Sequence, residues 1–184
     1  MKYLLNGQES ERLKFRLLKK DDFNIWVEFF KHKGISEYLG MDEIPTAKEK
    51  AEKWFELINN RYLNDLGGMN VLIDKKTNEF VGQCGLLIQE IDGKKELEIG
   101  YSIMPKFWNK GYATEAAIKC KDFAFENNYA DSIISIIHIK NKSSEKVAKK
   151  NGMIKHSNTE YKGMPVNIYR IEKSEWLKSR MEKT

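Results

Sequence analysis

The stretch from Glu98 to Ala116 constrains this chain more than any other. It reads as a strand, a stop, a glycine turn and a helix that packs through small residues. Ile99, Tyr101 and Ile103 alternate with Glu98, Gly100, Ser102 and Met104, so the two sets face opposite sides of a strand. Pro105 has no N–H and ends the ladder. Gly111 permits a backbone conformation closed to other residues. Ala113, Ala116, Ala117, Cys120, Phe123 and Ala124 then share one helix face, small enough to lie close on a sheet. The first amides of such a helix lack intrahelical acceptors, and the helix dipole puts partial positive charge there. A turn that bares them suits a phosphate. An ordinary strand–turn–helix connection satisfies the same pattern.

The flanking pattern predicts a strand over 11–18 and a helix opened by Asp21 and Asp22. A second helix spans about 46–63, with Thr46 and Glu49 at capping-box spacing and Ala51, Trp54, Phe55 and Ile58 as its apolar stripe. Trp26, Trp54 and Phe55 read as core residues. Gly67-Gly68 reads as a break. A meander follows over 69–74, 79–90 and 95–104, turning at Asp92-Gly93. Next come a helix at 112–127, a strand at 132–139, a short helix at 143–151, and strands at 153–161 and 164–173 joined by Lys162-Gly163. The order β-α-α-β-β-β-α-β-α-β-β predicts an α+β fold with a mixed, mostly antiparallel twisted sheet and helices on both faces. No repeat or linker divides the chain, so one domain over 1–184 is expected.

Aromatic content of 11% supplies a packed core, which argues against disorder. No apolar run is long enough to span a bilayer or form a signal peptide, which predicts a cytoplasmic protein without a membrane partner. Cys84 and Cys120 are too few for a disulfide framework, and His32, His138 and His156 lack metal-ligand spacing, so no metal is expected. The net charge is +5, and residues 138–156 carry six lysines against the single acid Glu145. This cluster suits an anionic partner or a solvated helix face. It contains no aromatic residue, which counts against nucleic acid.

Trp108-Asn109-Lys110-Gly111-Tyr112-Ala113 resembles the pyrophosphate loop of the GNAT N-acetyltransferase superfamily, Gln/Arg-x-x-Gly-x-Gly/Ala, with Trp108 in place of Gln or Arg. Glu-Ile-Gly-Tyr before it and Gly-Tyr-Ala-Thr-Glu-Ala within it are similar to the branch holding the Rim-type ribosomal-protein N-terminal acetyltransferases. The resemblance implies a GNAT-like fold and transfer of an acetyl group from acetyl-CoA to a primary amine, such as a peptide N-terminus or a polyamine. It assigns the CoA pyrophosphate to Trp108, Asn109, Lys110, Gly111, Tyr112, Ala113 and Thr114. The pantetheine arm falls to Asn141, Ser144 and the backbone of Ile103 and Met104, with strands 95–104 and 132–139 splayed apart. Glu98 is implied as general base. The family's tyrosine acid is Ala148 in this chain, which leaves Ser144 as the candidate proton donor and the Met104 N–H as the oxyanion donor. The acceptor pocket is expected between 33–45 and 160–167, where Tyr38, Asp42, Glu43, Glu160 and Tyr161 would suit a cationic amine. An acyl-CoA sensor without turnover, a basic RNA- or ribosome-binding module and a donor such as succinyl-CoA stay open, as does a homodimer.

Overall fold

In the computed structural model, which describes residues 2–182, the alternation at Leu13 and Phe15 gives strand β1 (Leu13–Arg16). Helix α1 (Phe23–Phe30) buries Trp26, Phe29 and Phe30. Helix α2 (Ala47–Leu63) starts at the capping box: the Glu49 N–H donates to Thr46 Oγ1 at 3.2 Å, and the Thr46 N–H to Glu49 Oε2 at 3.1 Å. A cap of this kind contributes about 0.5–2 kcal/mol. Strands β2 (Gly67–Asp74), β3 (Phe80–Ile91) and β4 (Lys94–Ile103) form the meander. Asp92 and Gly93, both at positive φ, make the β3–β4 turn. Helix α3 (Tyr112–Glu126), β5 (Ser132–His138), α4 (Lys142–Lys150), β6 (Ile154–Tyr161) and β7 (Met164–Glu172) complete the expected order.

The structure departs from the sequence reading in two places. Gly67-Gly68 opens β2 rather than breaking the chain. A Cβ on Gly67 would lie 2.1 Å from the Leu86 carbonyl oxygen, so glycine lets β2 approach β3. A further helix that the sequence reading did not include, α5 (Lys173–Met181), follows β7. Its Trp176 is buried, stacks near Phe125 at 5.4 Å and donates to Asp122 Oδ1 at 2.8 Å.

The seven strands form one sheet in the order β1-β2-β3-β4-β5-β7-β6. All neighbours are antiparallel except β4 and β5. Helices α1 and α2 cover one face, packing Trp26, Trp54 and Ile58 on Met69, Val71 and Leu87. The other face holds Ala116, Ala117, Cys120 and Ala124 of α3, Ala148 of α4 and Trp176 of α5 against Leu86, Ile99 and Ile133. The small residues of α3 bring its axis close to the sheet; Cys120 Sγ lies 3.5 Å from Cys84 Sγ, both free thiols. No helix among the described residues is long and apolar enough to cross a membrane.

Candidate active site

The central irregularity of the sheet lies between its parallel neighbours. β4 pairs with β3 along its whole length, but with β5 only at Glu98 and Ile134. The Met104 N–H donates to Val81 O at 2.9 Å. Backbone groups alternate sides along an antiparallel ladder, so even-numbered residues of β4 aim at β3 and odd-numbered ones at β5. Ile99 uses its carbonyl to accept from Ser135 Oγ at 2.9 Å. Beyond it the strands diverge, and the main chain of Tyr101 and Ile103 faces the gap. The expectation for Met104 is therefore corrected: its N–H is committed to β3 and cannot serve an oxyanion.

The gap opens into a cleft of about 740 Å³. Its first wall is the turn before α3. Asn109 and Gly111 have φ of 59° and 84°, and the helix begins without a side-chain cap. The Glu115 N–H takes the Gly111 carbonyl, leaving the amides of Tyr112, Ala113 and Thr114 as the unpaired first turn. Arg12 holds this turn from behind. Its Nη1 donates to Lys110 O at 3.0 Å, its Nε to Glu115 Oε2 at 2.6 Å, and its guanidinium lies 4.2 Å from the centre of the Tyr112 ring. Glu115 Oε1 also accepts from Ser10 Oγ and the Arg12 N–H, both at 2.7 Å.

A phosphate-suited helix start thus stands beside a strand edge that has no neighbouring strand. Residues 12–154 match the acetyltransferase (GNAT) domain model. The chain belongs to the GNAT acetyltransferase family. Over 165 residues it is 30% identical to the Bacillus subtilis (strain 168) protein YkkB, covering 87% of this chain and 92% of that one. The acetyltransferase from Agrobacterium tumefaciens str. C58 superposes with a TM-score of 0.75 at 23% identity, covering 91% of this chain and 94% of that chain. The ribosomal L7/L12 alpha-N-protein acetyltransferase RimL, solved with coenzyme A, gives 0.72 at 16% identity, covering 92% and 97%. The fold is thus the GNAT fold, with Rim-type enzymes among its structural neighbours.

Ile103, Trp108, Asn109, Gly111, Tyr112, Ala113, Thr114, Asn141 and Ser144 all line the GNAT cleft. Met104 and Lys110 are not among its lining residues. The Trp108 indole N–H donates to Ile103 O at 2.6 Å, so the residue that departs from the family loop closes onto the β4 edge. Asn141 caps α4 by accepting from the Ser144 N–H at 3.0 Å, and the Ser144 carbonyl accepts from the Tyr101 hydroxyl at 2.8 Å. Of the lysine-rich segment, Lys146 and Lys150 reach the cleft, while Lys142 and Lys149 pair with Glu145, lowering its pKa to about 2.

Glu98 lies at the far end of the cleft. It is buried, accepting from Gln89 Nε2 at 2.7 Å and from the Ile136 N–H at 3.4 Å. Burial pushes its pKa up, outweighing those two hydrogen bonds. Gln89 Oε1 in turn accepts from Arg61 Nη2 at 2.7 Å and from the Tyr161 hydroxyl at 2.9 Å. The Tyr161 pKa is pushed up to about 12 by burial and by Glu98. Tyr38 and His138 stand 5.5 Å apart across the opening. As expected, 33–45 and the last hairpin wall this end. Tyr38 and Tyr161 line it, but Asp42, Glu43 and Glu160 do not. Trp54, read as core, is buried and also lines the cleft, with its indole N–H on Gln83 Oε1 at 2.9 Å.

Sequence reasoning missed Arg12, Arg61, Gln89 and Tyr101. Arg12 meets Glu115 across 103 positions, and Arg61 meets Gln89 across 28, separations that no local pattern reveals. Among the described residues no group of three or more His, Cys, Asp or Glu is placed to hold a metal ion.

Proposed function

We propose that this GNAT protein transfers an acetyl group from acetyl-CoA to a primary amine by direct attack on the thioester. The observation that carries the reading is the arrangement of one cleft. It has unpaired amides at Tyr112–Thr114 at one end, a β4 edge at Tyr101 and Ile103 that pairs with no strand in the middle, where Trp108 holds the Ile103 carbonyl, and the buried carboxylate of Glu98 at the other. The first-turn amides and helix dipole suit a diphosphate. The β4 edge suits the pantetheine amides, and Asn141 and Ser144 flank the same stretch. The donor therefore enters as a substrate that the chain already has groups to hold.

An ammonium ion must lose a proton before it attacks. Glu98 accepts it, directly or through a water, and its raised pKa brings a carboxylate nearer the range where a base works at neutral pH. The C–N bond forms, the C–S bond breaks, and the thiolate takes a proton. Ala148 is buried and offers none, so Ser144 is the donor we assign. The Tyr101 and Ile103 amides, which face the gap, are placed to stabilise the oxyanion.

Release of free thiol from acetyl-CoA across a panel of amines tests the reading. The expected result is amine-dependent release, lost in Glu98→Gln while acetyl-CoA affinity stays within a few-fold. Tight binding without release for any amine would instead favour a sensor.

A further inference from the structure

We infer that the acceptor is a primary amine that carries a carboxylate, recognised by Lys162 with Arg61 beside it. The inference rests on the acetyl-transfer reading and names the substrate class of that site. Among the described residues lining the cleft, Glu98 is the sole carboxylate, against Lys33, Arg61, Lys146, Lys150 and Lys162. Lys146 and Lys150 belong to α4 on the cofactor side, which leaves Lys33, Arg61 and Lys162 around the acceptor end.

Among the described residues, neither Arg61 nor Lys162 has an ion-pair partner. Arg61 spends its donors on neutral oxygens: Ile88 O at 3.0 Å, Leu66 O at 3.2 Å and Gln89 Oε1 at 2.7 Å. The Lys162 ammonium rests 5.1 Å from the centre of the Tyr161 ring. The nearby acids Glu90, Asp92 and Glu160 line an adjoining groove of about 440 Å³ that shares Gln89, Tyr161 and Lys162 with the cleft. Loss of water around Lys162, aided by Arg61, lowers its pKa, and the same loss lowers that of Arg61. Glu98 is the one charge that favours both.

A polycationic amine entering this end meets like charges on two sides and one shared carboxylate. A substrate with both groups resolves the conflict: its amine faces Glu98 and its carboxylate faces Lys162 and Arg61. The same chemistry comes from a free amino acid or from a peptide with an acidic first residue.

Acetyl transfer by the full chain is compared for aspartate against aspartate diamide, for peptides beginning Asp against Asn, and for spermine. The expected result is at least tenfold higher kcat/KM for the carboxylate member of one pair, and the pair that responds identifies the source. In Lys162→Met that ratio falls toward one, and Lys162→Arg restores it. Equal rates within both pairs, a preference for spermine, or a ratio untouched by Lys162→Met overturns the inference alone. No turnover of any amine overturns the acetyl-transfer reading with it.

Discussion

Arg170 of β7 reaches across β5 to Glu96 of β4, Nη2 to Oε1 at 2.7 Å and Nη1 to Oε2 at 3.2 Å. On the way Nη1 also meets Ser132 Oγ of β5 at 2.5 Å. This clasp sits where the β4–β5 ladder is reduced to the Glu98–Ile134 pair. Both side chains are under one-fifth exposed, 17% and 15%, so water screens the pair poorly. Side chains thus carry the joint that the backbone gives up to form the gap.

Glu96→Ala should therefore cost about 1.5–3 kcal/mol, the range for a hydrogen bond to a charged group. Urea unfolding reads the loss. Hydrogen exchange should quicken in β5 before it does in β2, since β2 is zipped to both neighbours.

The Arg12–Glu115 contact makes a different prediction. Glu115 receives three hydrogen bonds that tie the strand edge to the first turn of α3. Burial raises the Glu115 pKa, but the bonds from Ser10 and Arg12 outweigh it and the net shift is downward. A carboxylate with a lowered folded-state pKa stabilises above its unfolded value, and that contribution is lost as pH falls through the folded value. The stability gap between wild type and Glu115→Ala should be about 1–3 kcal/mol at pH 7 and shrink below about pH 4. Arg12→Ala, whose side chain is 40% exposed, should cost less stability but raise KM for acetyl-CoA several-fold.

The proposed mechanism makes Glu98 the group that should set the pH profile. Its pKa is raised by burial, and only the charged form accepts a proton. Thus kcat/KM should climb with pH through a pKa above the usual carboxylate value. Glu98→Gln should lose about 100-fold in rate, a typical worth for general-base catalysis, and lose that acidic limb. An unchanged limb in the mutant would assign it to another group.

Much of the fold could be read because its signals are local. Pro105 ends β4, Asp92-Gly93 turns the hairpin, and Thr46 with Glu49 starts α2, each within a few residues. Helix α5 gave little signal: it buries Trp176 on a mostly charged surface, and Glu172 makes no side-chain cap. The phosphate-suited turn was legible because its residues are contiguous. The role expected of Met104 was wrong because alternation shows which residues share an edge, while only the register with β3 shows which way that edge faces. Which of the loop acids reach the cleft was not legible for a similar reason. Asp42, Glu43 and Glu160 lie on the expected loops without lining the cleft, while Lys162, exposed at the tip of the hairpin, borders it.

The central claim is that bare amides at the start of α3 grip the CoA diphosphate, and Gly111 is its most direct probe. At φ 84° an alanine is strained by about 1–2 kcal/mol. Space is not the obstacle, since its Cβ would lie 3.4 Å from the end of the Arg12 side chain, an ordinary contact. That strain favours relaxation of the turn out of the left-handed region, which turns its amides away. Calorimetric titration of coenzyme A into wild type and a folded Gly111→Ala is the measurement. The account predicts binding to wild type and at least tenfold weaker binding to the variant; equal affinity for the two, or no binding by wild type, would contradict it.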